Sequence, residues 1–389
     1  MNTRPAIENP NNPVALSASF NQDASCFTVG LENGFSIFGS EPCQLRGSRD
    51  FNTQGIGLMA MLGKTNYVAI TGGGKNPKYT PFEVIIWDEL KSLEFIRLRF
   101  RSHVRGVKIS RTHIVVALQN SIHVYKLEKA PKVRAVFETS ENPFGLCCLT
   151  PKTLAFPGRT PGQVQLVELS TQNVSIIPAH GSALRAIDIS RDGEVLATAS
   201  ETGTLVRVFA TGNCAKLAEL RRGVDHATIF SLAIAPSGQL LAVTSDKSTL
   251  HIFDIPHPSK PARAEGGSAS RMLTSQSGGG NLAMSDADTS HKWGFLGRIP
   301  LLPRVFSDVY SFASAHFEIG DEPTFGGPNS PPGAMLPPPK GVIGWTTDES
   351  LIVIGAGRGG KWEKFVIAEG EDGKRYCVRS GWKNYLGVN

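Results

Sequence analysis

The sequence predicts an all-β fold, a single seven-bladed β-propeller of WD-repeat type spanning residues 1–389, and three observations carry that prediction. A short strand ending in an aromatic or branched residue recurs at a near-constant interval. Turn-forming residues are abundant, with 41 Gly and 25 Pro. Apolar residues alternate with a period of two between the turns, and nothing at helical period recurs between those strands.

The recurring strand is read in GFSIFG, VIIWDE, SIHVYK, VQLVEL, LVRVFA and LHIFDI, whose equivalent points Phe38, Trp87, Tyr125, Val167, Phe209 and Phe253 lie 49, 38, 42, 42 and 44 residues apart. That interval is one blade of a propeller. A seventh unit falls between Val342 and Tyr385, with LIVIGAGRGG and KFVIA as its central hairpin. Within a unit, strands and turns alternate as ALRAIDIS, RDG, EVLATAS, ETG and TLVRVF between Ala183 and Phe209. Blades are expected at about 13–53, 55–102, 104–140, 144–180, 183–223, 227–318 and 342–387. Closing such sheets into a ring protects their edges.

Two segments interrupt the repeat. Residues 256–310 form an insertion in blade six, whose Gly-, Ser- and Ala-rich first part has no apolar period and reads as an unstructured tether. Its second part, WGFLGRIPLLPRVFSDVY, is strongly apolar, and Trp293, Phe295, Leu296, Ile299, Leu301, Leu302 and Phe306 are its candidates for membrane insertion. Pro300 and Pro303 argue against one continuous helix there. Residues 326–340, GGPNSPPGAMLPPPK, read as a Pro-rich linker between blades six and seven. The uncharged stretch Ala227 to Ser245 is broken by Pro236-Ser237-Gly238-Gln239 and reads as two strands and a turn, not a membrane span.

A net charge of +6 and a pI near 9.0 favour an anionic partner, whether nucleic acid, a membrane face or an acidic protein surface. No interleaving of aromatic and basic residues on a strand face supports nucleic acid. Six scattered cysteines without a C-x-x-C pair, and an N-terminus without a secretory signal, point to a reducing cytoplasmic compartment. Gly355 to Gly360 matches G-x-G-x-x-G, but a strand follows it, so it reads as a hairpin turn. Thr71-Gly72-Gly73-Gly74-Lys75 lacks the spacing of a P-loop. No histidine set has metal-ligand spacing and no Ser, His and acidic set makes a triad, so neither a metal, a cofactor nor catalysis is expected.

Leu220-Arg221-Arg222-Gly223 joins blades five and six. Successive side chains of an extended segment point to opposite faces, so adjacent arginines can serve two pockets, one against each blade. Guanidinium is the preferred fork for phosphate oxygens, and hydroxyl or imidazole groups complete such sites. Those companions appear twice, because TAS-ETG-TLVRVF (Thr198 to Phe209) returns as VTS-DKS-TLHIFD (Val243 to Asp254), a shift of 45 residues at the shared serine. The turns bring Ser200 near Thr204, and Ser245 and Lys247 near Thr249, with Arg207 and His251 similarly set in the following strands. His180, just before blade five, can join the first cluster.

With those residues in view, the sequence resembles the PROPPIN family, the phosphoinositide-binding WD-type propellers that include the human WIPI proteins. The resemblance runs through Thr71 to Glu89, Leu154 to Leu169, Ile176 to Phe209 and the arginine motif. Most members read Phe-Arg-Arg-Gly there. Leu220 in the first place resembles the subgroup of the third and fourth WIPI proteins and their fungal counterparts. The resemblance implies two sites for phosphatidylinositol 3-phosphate and 3,5-bisphosphate. By matching position, Arg221 with His180, Ser200, Thr202, Thr204 and Arg207 would form one; Arg222 with Ser245, Lys247, Thr249 and His251 would form the other. It further implies a membrane-penetrating insertion, action in autophagy and endolysosomal traffic, and an Atg2-type lipid-transfer partner contacted through Asn21 and Asp23 of the first blade. A monomer in solution is expected, peripheral on autophagic precursor, endosomal or vacuolar/lysosomal membranes. The competing expectation is a propeller scaffold for protein partners without lipid dependence. Because bound phosphate favours imidazolium, His180 and His251 also predict membrane affinity rising as pH falls from about 7.5 to 6.

Overall fold

The computed structural model describes residues 14–261, 309–320 and 338–387. The membrane-insertion candidates Trp293, Phe295, Leu296, Ile299, Leu301, Leu302 and Phe306 lie outside the described residues, as do residues 326–337 of the Pro-rich segment.

The protein is all-β, a ring of seven sheets, each built on four antiparallel strands. Blade five runs Leu184–Ile189, Val195–Ser200, Leu205–Ala210 and Lys216–Arg221. Blade six runs Ile229–Ile234, Leu240–Ser245 and Thr249–Asp254, and completes itself after the insertion with Ala313–His316. The uncharged stretch from Ala227 is thus the first hairpin of blade six, and among the described residues no helix is long and apolar enough to cross a membrane.

The recurring large residues all sit in third strands, and several mark a distortion. Phe38, Trp87, Tyr125, Phe209 and, in blade seven, Phe365 each lie at a register shift against the outermost strand. Such bulges increase local twist, which splays the outer strand of a blade relative to the inner ones. Inner strands buried along their whole length, such as Val195–Ser200 and Leu240–Ser245, give the blades two buried faces, and seven separate cores fill the seven seams.

Ring closure uses packing between complete blades. Blade seven takes all four strands from the C-terminal part: Val342–Trp345, Ser350–Gly355, Lys361–Glu369 and Arg375–Asn384. Its face meets blade one through Ile352, Ile354, Trp362 and Tyr385 against Phe27, Val29 and Phe38. Trp362 Nε1 donates to Ser40 O at 3.1 Å, satisfying the indole proton across the seam. The glycine-rich hairpin adds a short strand, Gly357–Arg358, that pairs with Val14 and Ala15.

The first-blade turn lies at the mouth of the ring. Gln22 Nε2 donates to Ile109 O of blade three at 2.8 Å, and Arg191 of blade five donates to Asp23 O at 3.1 Å and Trp345 O at 3.3 Å. Asn21 and Asp23 differ sharply within it. Asn21 is buried, its amide bonded to Ser25 Oγ, Gly63 O and the Cys26 N–H. The polar atoms of Asn21 thereby hold the turn's backbone together. Asp23 is exposed, accepting from Ser25 and facing Lys64 at 3.4 Å.

Candidate functional site

The outer strand of blade five sets the geometry. Leu220 is 1% exposed and packs into the seam with blade six. Alternation then turns Glu219 and Arg221 toward blade four, and Arg222 toward blade six. The neighbours agree with this. Glu219 Oε2 accepts from Arg207 Nε at 2.8 Å, and Arg207 Nη1 donates to Ala179 O at the end of blade four at 2.6 Å. Arg222, by contrast, lies close enough to His251 of blade six to depress its pKa.

Arg222 is also part of the fold. It is 8% exposed, its Nε donates to Gly203 O at 2.8 Å, and its Nη2 donates to Asp225 O. Burial lowers its pKa, against the opposing pull of Asp246 and Asp225. Gly203 makes this docking possible, since its φ is +64° and a Cβ there would stand 1.7 Å from Ala227 O. Replacing both arginines therefore cannot leave the unfolding profile untouched, because loss of Arg222 strands two carbonyls.

The duplicated hairpins are close relatives of unequal length. In blade five the last pair before the turn is Ala199 with Val206, and in blade six it is Thr244 with Leu250, so the blade-five turn holds one more residue. Arg207 and His251 nevertheless occupy the same rung, opposite Thr198 and Val243. In the first turn Ser200 Oγ lies 2.9 Å from Thr202 Oγ1, and the Thr204 carbonyl accepts from Arg222 N. In the second, Ser245 Oγ lies 3.5 Å from Thr249 Oγ1 and accepts from Lys247 N at 3.4 Å, leaving the Lys247 side chain exposed.

The two histidines are placed differently. His180 Nε2 lies 2.9 Å from Thr198 Oγ1, whose own proton goes to Arg207 O at 3.3 Å. The neutral ring therefore commits its single proton to Thr198. His251 Nδ1 instead lies 3.0 Å from Ser311 Oγ. Burial lowers each pKa to about 4, assisted by Arg207 beside His180 and by Arg222 beside His251.

That corrects the pH window. Both rings are neutral between pH 7.5 and 6, so membrane binding is expected to stay flat over that range and to strengthen only at lower pH, where bound phosphate draws a proton in. For stability the sign is fixed by the depressed folded pKa. The unfolded chain binds more protons between about 6.5 and 4, so stability falls as pH falls through that interval. Unfolding temperatures measured from pH 7 to 4.5 should drop less steeply for His180→Asn/His251→Asn than for the parent. An equal slope would contradict the assignment.

The insertion is fastened at both ends, its return beside this site and its start at the opposite end of the strands. At its start His257 is buried, Nε2 lies 2.9 Å from Asp192 Oδ2, and Lys260 Nζ reaches Asp192 Oδ2 at 3.1 Å and Ser237 O at 2.6 Å. At its return Val309–Tyr310 pairs in parallel with Leu220 and Arg221, adding a fifth strand to blade five. Sequence reading missed Glu219, Thr198 and Ser311. Cross-strand alternation signals Glu219 opposite Arg207, but nothing local signals Ser311, some sixty residues from His251.

The PROPPIN family model matches residues 15–276. SVP1-like protein 2 of Emericella nidulans is 59% identical over 332 residues, covering 84% of this chain and 99% of that protein. Autophagy-related protein 18e of Arabidopsis thaliana is 39% identical over 244 residues, 61% of this chain and 65% of that protein. The crystal structure of Kluyvelomyces marxianus Hsv2 superposes with a TM-score of 0.71 at 22% identity, covering 97% of this chain and all of that one, a likeness of fold.

Proposed function

The chain belongs to the PROPPIN family of autophagy-related, phosphoinositide-binding propellers that act peripherally on membranes as binding scaffolds, and from that premise we propose that it binds two 3-phosphorylated inositol headgroups on its rim. The observation that carries the proposal is the opposite facing of Arg221 and Arg222, each beside a serine- and threonine-rich hairpin with a cationic or imidazole side chain on the same rung. Arg221 serves the blade-five site with Ser200, Thr202, Thr204 and Arg207, and Arg222 serves the blade-six site with Ser245, Lys247, Thr249 and His251. Neutral His180 braces the first site through Thr198 and supplies no proton of its own.

The ligands are phosphatidylinositol 3-phosphate and 3,5-bisphosphate. A single headgroup offers little contact, but two sites on one rigid rim and an apolar anchor make each later contact intramolecular. The protein then recruits an Atg2-type lipid-transfer partner to autophagic or endolysosomal membranes. Flotation with liposomes that differ in inositol phosphorylation tests this. Binding only where a 3-phosphate is present is expected, and equal binding to liposomes lacking phosphoinositide would favour a lipid-independent scaffold.

On the partner side, Asp23 is the contact and Asn21 is the residue that shapes it. Asp23→Ala is expected to reduce capture of the Atg2-type partner with unfolding unchanged. Asn21→Ala should lower stability by about 1–3 kcal/mol, since it strands buried polar groups. Full capture by Asp23→Ala would remove this loop from the interface.

A further inference from the structure

His251 is neutral near pH 7, so it can help a phosphate only as an N–H donor, and a neutral imidazole has one proton to give. Which nitrogen carries it is set by the partner of the other. At 3.0 Å from Nδ1 stands the hydroxyl of Ser311. Ser311 has no local reason to be there. It follows Val309–Tyr310, which is zipped to the Leu220–Arg221 strand, and precedes Phe312, whose N–H donates to Ile252 O. Phe312 is held in turn beneath the Arg375 guanidinium, 3.7 Å from the ring centroid. The return of the insertion is thus fixed on both sides of Ser311 by the outer strand of blade five and the third strand of blade six.

We propose that Ser311 is a positioning residue for the blade-six site: its hydroxyl donates to Nδ1 of His251 and holds the ring as the tautomer whose Nε2–H is available to a phosphate oxygen. The opposite arrangement, Nδ1–H donating to Ser311, would leave Nε2 a bare acceptor and repel the anion. The blade-five site has no counterpart, because His180 gives its proton to Thr198 inside the fold. This inference rests on the reading of blade six as a headgroup site. It also joins the insertion to that site, since whatever displaces residues 309–312 releases the tautomer.

The test uses the full chain carrying Arg221→Ala, which leaves the blade-six site, titrated with soluble inositol 1,3-bisphosphate. Adding Ser311→Ala is expected to weaken binding about two- to threefold, by the fraction of rings that lose the Nε2–H tautomer, and Ser311→Thr to restore the parental affinity. Nitrogen-15 spectra of the His251 ring should report Nε2–H in the parent and a tautomer mixture in Ser311→Ala. Unchanged affinity in Ser311→Ala, or Nδ1–H in the parent, would overturn the proposal while Arg222→Ala still abolishes binding. If Arg222→Ala also changes nothing, the headgroup reading fails and this inference with it.

Discussion

Alanine at both Arg221 and Arg222 is expected to remove phosphoinositide-dependent flotation. Each guanidinium supplies charge-assisted hydrogen bonds worth about 1.5–3 kcal/mol apiece, so each single change should weaken binding roughly tenfold to a hundredfold. Losing both compounds the two losses, because neither site is left to make the other contact intramolecular. The singles separate in stability. Arg221→Ala should unfold close to the parent, whereas Arg222→Ala strands Gly203 O and Asp225 O at about 1–3 kcal/mol. A double variant that still floats like the parent would remove the arginines from the membrane contact.

Serine at Phe295, Leu302 and Phe306 together is expected to produce the other large loss. If these side chains enter the bilayer, each contributes roughly 1.5–3 kcal/mol before ordering costs, so liposome affinity should fall by two or more orders of magnitude. Binding of a soluble inositol phosphate should be spared, because both hairpins and both arginines are intact. An environment-sensitive fluorophore at position 302 should shift to the blue on adding liposomes. Parental liposome affinity in the triple variant, or a probe already blue-shifted without lipid, would assign these residues to packing on the propeller.

The blades were legible because each repeats one physical problem: a strand buried on both faces needs unbroken apolar residues, and a turn needs Gly, Asn, Asp or Ser. Phe38, Trp87, Tyr125, Phe209 and Phe253 therefore mark equivalent strands from sequence alone, which prove to be the third strands of their blades. That Arg221 and Arg222 should face opposite ways follows from the two-residue period of a strand alone. What lay beyond reach is tertiary. The histidine pKa values depend on burial and on Arg207 and Arg222, which arrive from elsewhere in the fold. Asn21 resembled an exposed loop residue because no local pattern reveals that its amide turns inward to Gly63 O. Nor did any local pattern reveal the parallel pairing of Val309 and Tyr310 with the arginine strand, across some ninety residues. Ring closure, too, is carried by Trp362 meeting the Ser40 carbonyl from the far end of the chain.

If one rim holds two headgroup sites divided by adjacent arginines, the stoichiometry of soluble headgroup binding must show it. Calorimetric titration with inositol 1,3-bisphosphate should give two molecules per chain for the parent, one for Arg221→Ala, one for Arg222→Ala and none for the double variant. A parental stoichiometry of one, or a single substitution that abolishes all binding in a folded protein, would contradict it.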